Sequence, residues 1–148
     1  MSPRIERLAL ALLISVLLAG CAREPPATAP DHLAQTGGKW LLINYWAEWC
    51  KPCIEEIPQL NEFAQLNAAR ARVLMVNFDG ASGEALREQA QRLGISAALL
   101  DADPSARLGY PRPQALPTTF VIDPDGKLSA TLLGPQTVAS LTAATQAR

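Results

Sequence analysis

The chain has 148 residues, with 13 Lys and Arg against 14 Asp and Glu, three Cys, one His and a formal charge of −1. That balance, with no basic stripe and no aromatics interleaved among Lys and Arg, argues against nucleic acid as a partner. The length allows one compact domain with a short tether.

In chain order, the first seven residues carry Arg4 and Arg7, and an apolar stretch follows from Leu8 to Ala19. It is shorter than the roughly 20 residues of a membrane span and fits the apolar region of a signal peptide. The stretch ends in Leu17-Leu18-Ala19-Gly20-Cys21, which looks like a bacterial lipobox. Residues 1–20 are then a lipoprotein signal, cleaved once lipid is attached to the Cys21 sulfur; the alternative is an ordinary secretory signal with a chance cysteine. Several acyl chains would give a stable anchor where one would not. Ala22 rather than Asp after the cysteine leans toward the outer membrane over the inner. Loss of Arg4, Arg7 and Glu6 with the signal takes the formal charge to −2. Residues 21–38 read as a tether, because Pro25-Pro26, Pro30 and Gly37-Gly38 punctuate a segment poor in large apolar side chains. Semi-extended, it reaches about 50 Å at most.

The folded part is expected over 39–148. Lys39 to Trp46 is nearly all apolar, as in a strand buried on both faces. The helix after Cys50 places Ile54, Ile57, Leu60, Phe63 and Ala64 on one stripe and turns Glu55, Gln59 and Glu62 away. Pro58 deletes one bond of that helix and is expected to kink it. Arg72 to Phe78 reads as a strand ending at Asp79-Gly80, and Glu84 to Leu93 as an amphipathic helix stopped by Gly94. Ala97 to Leu100 is a further short strand. Asp103-Pro104-Ser105 starts a helix with Asp103 as its cap, and Pro111 and Pro113 impose an irregular stretch. Thr118 to Asp123 and Lys127 to Leu133 form a hairpin around Asp123-Pro124-Asp125-Gly126. A helix from Thr137 to Gln146, with Val138, Leu141 and Ala144 inward, closes the chain. This alternation predicts an α/β sandwich with a mixed sheet.

The chemistry concentrates in Trp49-Cys50-Lys51-Pro52-Cys53. A strand that delivers two thiols to the first turn of a helix makes a reversible dithiol/disulfide couple. Unpaired amide hydrogens and the positive end of the helix dipole favour a thiolate there. Cys50 is the predicted nucleophile and Cys53 the resolving thiol; a buried structural cysteine pair is the alternative. With Cys21 committed to lipid, no cysteine remains for a structural disulfide. A zinc site would have two sulfurs and a distant His32, short of the usual four ligands, so no metal and no cofactor is expected. Pro52 restrains the turn, while Lys51 either adds positive charge near the thiolate or is simply solvated. Trp46 and Trp49 are expected to pack the core and frame the thiol pocket.

Asn44-Tyr45-Trp46-Ala47-Glu48-Trp49-Cys50-Lys51-Pro52-Cys53 resembles the active-site segment of thioredoxin-fold proteins. Cys53-Ile54-Glu55-Glu56-Ile57-Pro58 is similar to the C-x-x-E-x-P of TlpA/ResA-type thiol-disulfide oxidoreductases, and Leu116-Pro117-Thr118-Thr119-Phe120 resembles their proline loop. The resemblance runs from about Gly38 to the C-terminus. It implies a thioredoxin-like three-layer α/β/α sandwich with a mixed central β-sheet, in which Ala81 to Ala97 supplies a strand-helix insertion. It implies that Glu56 tunes the Cys53 thiol as an acid/base, a surface carboxylate being the alternative, and that Pro117 is cis. Trp49, Lys51, Pro52, Leu116 and Thr118 would contact substrate. Cytoplasmic thioredoxins carry an Asp where this chain has Asn44, and an amide cannot take the resolving proton.

The function implied is exchange with disulfides of exported client proteins by a monomeric, lipid-anchored enzyme facing the periplasm. The family further implies reduction, with electrons from an inner-membrane thiol donor and, in some members, service to cytochrome c maturation. A disulfide oxidase or isomerase shares the chemistry and differs in potential. A peroxidase is disfavoured because peroxiredoxin-like motifs are missing. A copper-delivery or redox-sensing module is the rival from another class, although no His follows Gly38.

Overall fold

Seven consecutive buried residues, Trp40–Trp46, form strand β1 at the centre of a five-stranded sheet. The computed structural model describes residues 36–146; Cys21, the signal segment and most of the tether lie outside the described residues. The further elements are α1 Lys51–Leu66, β2 Ala71–Asn77, α2 Gly83–Arg92, β3 Ala98–Leu100, α3 Ser105–Leu108, β4 Thr118–Ile122, β5 Leu128–Leu133 and α4 Val138–Ala144. Strand order is β3-β2-β1-β4-β5. β2 runs parallel to both β1 and β3, while β4 is antiparallel to β1 and β5. The architecture is the thioredoxin-like α/β class with a mixed sheet.

Alternation along β1 divides its side chains between two cores. Trp40, Leu42 and Trp46 pack with Leu60 and Phe63 of α1, Leu86 of α2 and Leu141 of α4. Leu41, Ile43 and Tyr45 face Phe120, Ile122, Tyr110 and Leu108 on the other side. That second face is covered by the short α3, the loop after it and Phe78 beyond the end of β2. Asn44 shares its face with Leu42 and Trp46, so the strand's one polar side chain points beneath α1.

Several local expectations are revised. Gln59 is not turned away: its Oε1 accepts from the Val138 amide at 3.0 Å and so caps α4. Helix α3 starts with Pro104, not Asp103, at the cap position; Asp103 Oδ1 instead accepts from the Ser105 amide at 2.9 Å and the Tyr45 hydroxyl at 2.6 Å. The extra element runs as helix then strand and extends to Leu100. Thr36, inside the segment read as tether, is buried and donates to the Pro124 carbonyl at 2.6 Å. The run of α1 through Pro58 to Leu66, by contrast, is as the stripe from Ile54 to Ala64 led one to expect.

Candidate active site

β1 ends at Trp46, and the next turn is closed by the Cys50 amide donating to the Ala47 carbonyl at 3.1 Å. Cys50 is thereby the N-cap of α1, in extended conformation, with Pro52 in the first turn, where a missing N–H costs nothing. The Cys53 amide donates to Cys50 Sγ at 3.3 Å. A sulfur aimed at the open amides of a 16-residue helix is where a thiolate is electrostatically favoured. Cys50 and Cys53 are joined in a disulfide, their Cα atoms 5.3 Å apart, and are 4% and 1% exposed.

Trp49 does not pack the core as expected. It is 66% exposed, held at the surface by its indole N–H donating to Asp79 Oδ2 at 2.8 Å. Lys51 is solvated and 3.8 Å from Glu55, an exposed pair.

Glu56 lies one turn beyond Cys53 and is buried, only 1% exposed, which removes the surface-carboxylate alternative. Its Oε1 accepts from Asn44 Nδ2 at 2.7 Å, and its Oε2 from the Gln136 amide at 2.7 Å. Burial raises its pKa, and the Gln136 and Asn44 hydrogen bonds pull against that rise. The result is a carboxyl that holds its proton to higher pH than a solvated one.

The Leu116–Pro117 peptide is cis. Tyr45 pairs with Thr118 across β1 and β4, which places Pro117 at the end of the sheet from which the thiols emerge. The Pro117 carbonyl accepts from the Gly134 amide at 3.0 Å, whereas no hydrogen bond among the described residues uses the Leu116 backbone. That leaves Leu116 able to pair with an extended segment. The Thr118 side chain is buried and its hydroxyl donates to the Ala115 carbonyl at 2.7 Å.

The proline-rich run before this loop is anchored by Arg112. Its guanidinium stacks 4.1 Å from the Phe78 ring centroid, donates to the Phe78 carbonyl and pairs with Asp103 at 3.1 Å. Burial acts to raise the Asp103 carboxyl, but bonds from Tyr45 and Ser105 and the Arg112 charge outweigh it and hold the group low. Beside this cluster lies an open cavity of about 440 Å³ lined by Phe78, Asp79, Asp101, Asp103 and Arg112. Among the described residues no three His, Cys, Asp or Glu converge to hold a metal ion.

Asn44, Thr119 and Gln136 carry parts of this site that sequence reasoning missed. Asn44 drew notice only as a missing acid. Thr119 joins through strand register, and Gln136 through a contact spanning 80 positions. Neither leaves a local signature.

A dithiol at a helix N-cap, above a buried carboxyl and beside a cis-proline loop, defines the class of thioredoxin-fold thiol-disulfide oxidoreductases. A sequence model of the AhpC/TSA family matches residues 28–131, and the chain belongs to that family. It is 30% identical over 123 residues to the thiol-disulfide oxidoreductase ResA of Geobacillus thermodenitrificans, covering 75% of this chain and 70% of ResA. With the ResA of Bacillus subtilis the identity is 31% over 108 residues, covering 72% and 59%. A thioredoxin-family thiol:disulfide interchange protein from Chlorobium tepidum superposes with a TM-score of 0.58 at 27% identity, covering 77% and 80%. The protein is a thiol-disulfide oxidoreductase of the ResA type.

Proposed function

We propose that the protein is a lipid-anchored reductase facing the periplasm, acting on disulfides of exported proteins. The observation that supports disulfide exchange is the Cys50 sulfur at the cap of α1, with the buried Glu56 one turn behind Cys53; the resemblance to the ResA type supports reduction as its direction. In the reduced enzyme the Cys50 thiolate attacks a client disulfide, forms a mixed disulfide and expels one client sulfur as thiolate. Glu56 takes the proton of Cys53, whose sulfur then attacks Cys50 Sγ. The bond from Cys50 to the client breaks, the second client thiolate leaves, and the Cys50–Cys53 disulfide remains. Two electrons have passed to the client, and a membrane thiol donor returns them. The free Leu116 backbone beside cis-Pro117 pairs with the client segment during both steps, with Pro52 and the exposed Trp49 and Lys51 at the rim.

The lipobox-like segment ending at Cys21 supports envelope attachment; Ala22 leans toward the outer membrane, from which a tether of about 50 Å does not reach an inner-membrane donor, and there an oxidising or locally recycled role gains ground. Cytochrome c maturation is one service such a reductase performs. The test is the reduction potential of the pair, measured against glutathione, with the redox state of Cys50 and Cys53 in growing cells. A low potential and a mostly reduced pair support the reductase; a high potential with a fully oxidised pair assigns the protein to disulfide formation instead.

A further inference from the structure

A buried polar atom without a partner carries its whole desolvation penalty, and one such atom sits beside the carboxyl of this site. Asn44 is fully buried, yet its Oδ1 has no hydrogen-bond partner. An apolar residue of similar size would fill the position without that penalty, so packing does not explain the amide. Its nitrogen, by contrast, is fully used. Nδ2 donates to Glu56 Oε1 at 2.7 Å and to Thr119 Oγ1 at 2.9 Å. Two hydrogens on one nitrogen let it serve both acceptors at once, which an ionised Asp or a hydroxyl cannot do. Strand pairing sets Asn44 directly opposite Thr119, two residues past cis-Pro117.

We propose that Asn44 is a positioning residue of the exchange reaction: its paired donations tie the Glu56 carboxylate to the strand carrying the proline loop and keep it ionised for the Cys53 proton. The inference rests on Glu56 as the proton acceptor. The groups bonded to Glu56 are Asn44 from β1 and the Gln136 amide from the β5–α4 connection, with Thr119 of β4 behind Asn44; Cys53 lies three residues earlier on the same helix. No charged side chain among the described residues pairs with it. Gln136 donates through its backbone, so Asn44 is the one donor that a side-chain substitution can remove.

The experiment follows the rate of reduction of a disulfide-bonded peptide against pH with the intact protein, and the reduction potential alongside. If Glu56 is the base, the rate rises through a limb that Glu56→Gln abolishes. Asn44→Leu removes a donor to the ionised form, so the limb moves to higher pH and the rate below it falls by about tenfold. Thr119→Val gives a smaller shift in the same direction, because the amide is then held at one end only, and Thr119→Ser restores the original profile. In the Glu56→Gln background Asn44→Leu adds no further shift. Should Glu56→Gln leave the limb in place, Glu56 is not the acceptor and the role of Asn44 falls with it. Should Glu56→Gln abolish the limb while a folded Asn44→Leu protein keeps it unmoved, the role of Asn44 alone is refuted. Should Asn44→Leu fail to fold, an unmoved limb in Thr119→Val refutes it instead.

Discussion

Glu56 is an acid placed where a charge is disfavoured, and that has a measurable cost. Its pKa is raised by burial, with only the Gln136 and Asn44 donors in opposition. The folded state therefore binds the proton more tightly than the unfolded chain does. The associated stability is fully present below the ordinary carboxylate value of about 4.3 and is lost as pH rises through the raised folded value. Glu56→Gln is expected to unfold at a higher temperature than the parent at pH 7.5, with the gap closing by pH 4. Thermal melts at the two values check this; an equal gap at both would show that charge is not its origin. The two sulfurs give a sharper contrast. Cys53→Ser should hold clients as mixed disulfides on Cys50, visible as high-mass bands on non-reducing gels, and Cys50→Ser should form none. At this scale the sequence spoke clearly where the chemistry is local: the spacing of Cys50 and Cys53 at one helix start marks the couple, whereas Glu56 was singled out through the family resemblance and its burial shows only in the fold. Trp49 was misjudged because its exposure depends on Asp79, supplied by the end of another strand.

Among the elements, α4 shows how a short helix is held. Its Thr137 cap accepts from the Ser140 amide at 3.2 Å, and Ser140 Oγ accepts from the Thr137 amide at 2.9 Å. Gln59 satisfies the next free amide, at Val138. The preceding residue, Gln136, is the one whose amide reaches Glu56. Thr137→Ala should lower stability by about 1 kcal/mol in urea unfolding, the usual effect of a lost N-cap. No change would mean that Gln59 and the packing of Leu141 suffice. Strands and helices were legible from periodicity, the hairpin from Asp-Pro-Asp-Gly, and the α2 stop from Gly94 at φ +69°. Register was not. Nothing in the linear order tells that Asn44 meets Thr119, because pairing is decided by which faces the two cores bury. The Asp103 cap failed for a related reason: a carboxylate that reads as a local cap also binds Tyr45, 58 positions away.

For the whole molecule, the proposed anchor and the proposed chemistry are separable. Cys21→Ser should release the protein from the membrane fraction and abolish incorporation of labelled palmitate. It should leave peptide reduction by the purified protein unchanged. Retention of the variant in membranes would remove the lipid anchor from the proposal and leave the dithiol untouched. The chemistry depends on the Cys50 sulfur being ionised at the mouth of α1 while Cys53 stays protonated and covered. The direct measurement is the rate of iodoacetamide labelling at each cysteine of the reduced, folded protein at pH 7, resolved by peptide mass analysis. The expected result is rapid labelling of Cys50 and slow labelling of Cys53. Labelling of neither thiol, or of Cys53 first, would contradict it.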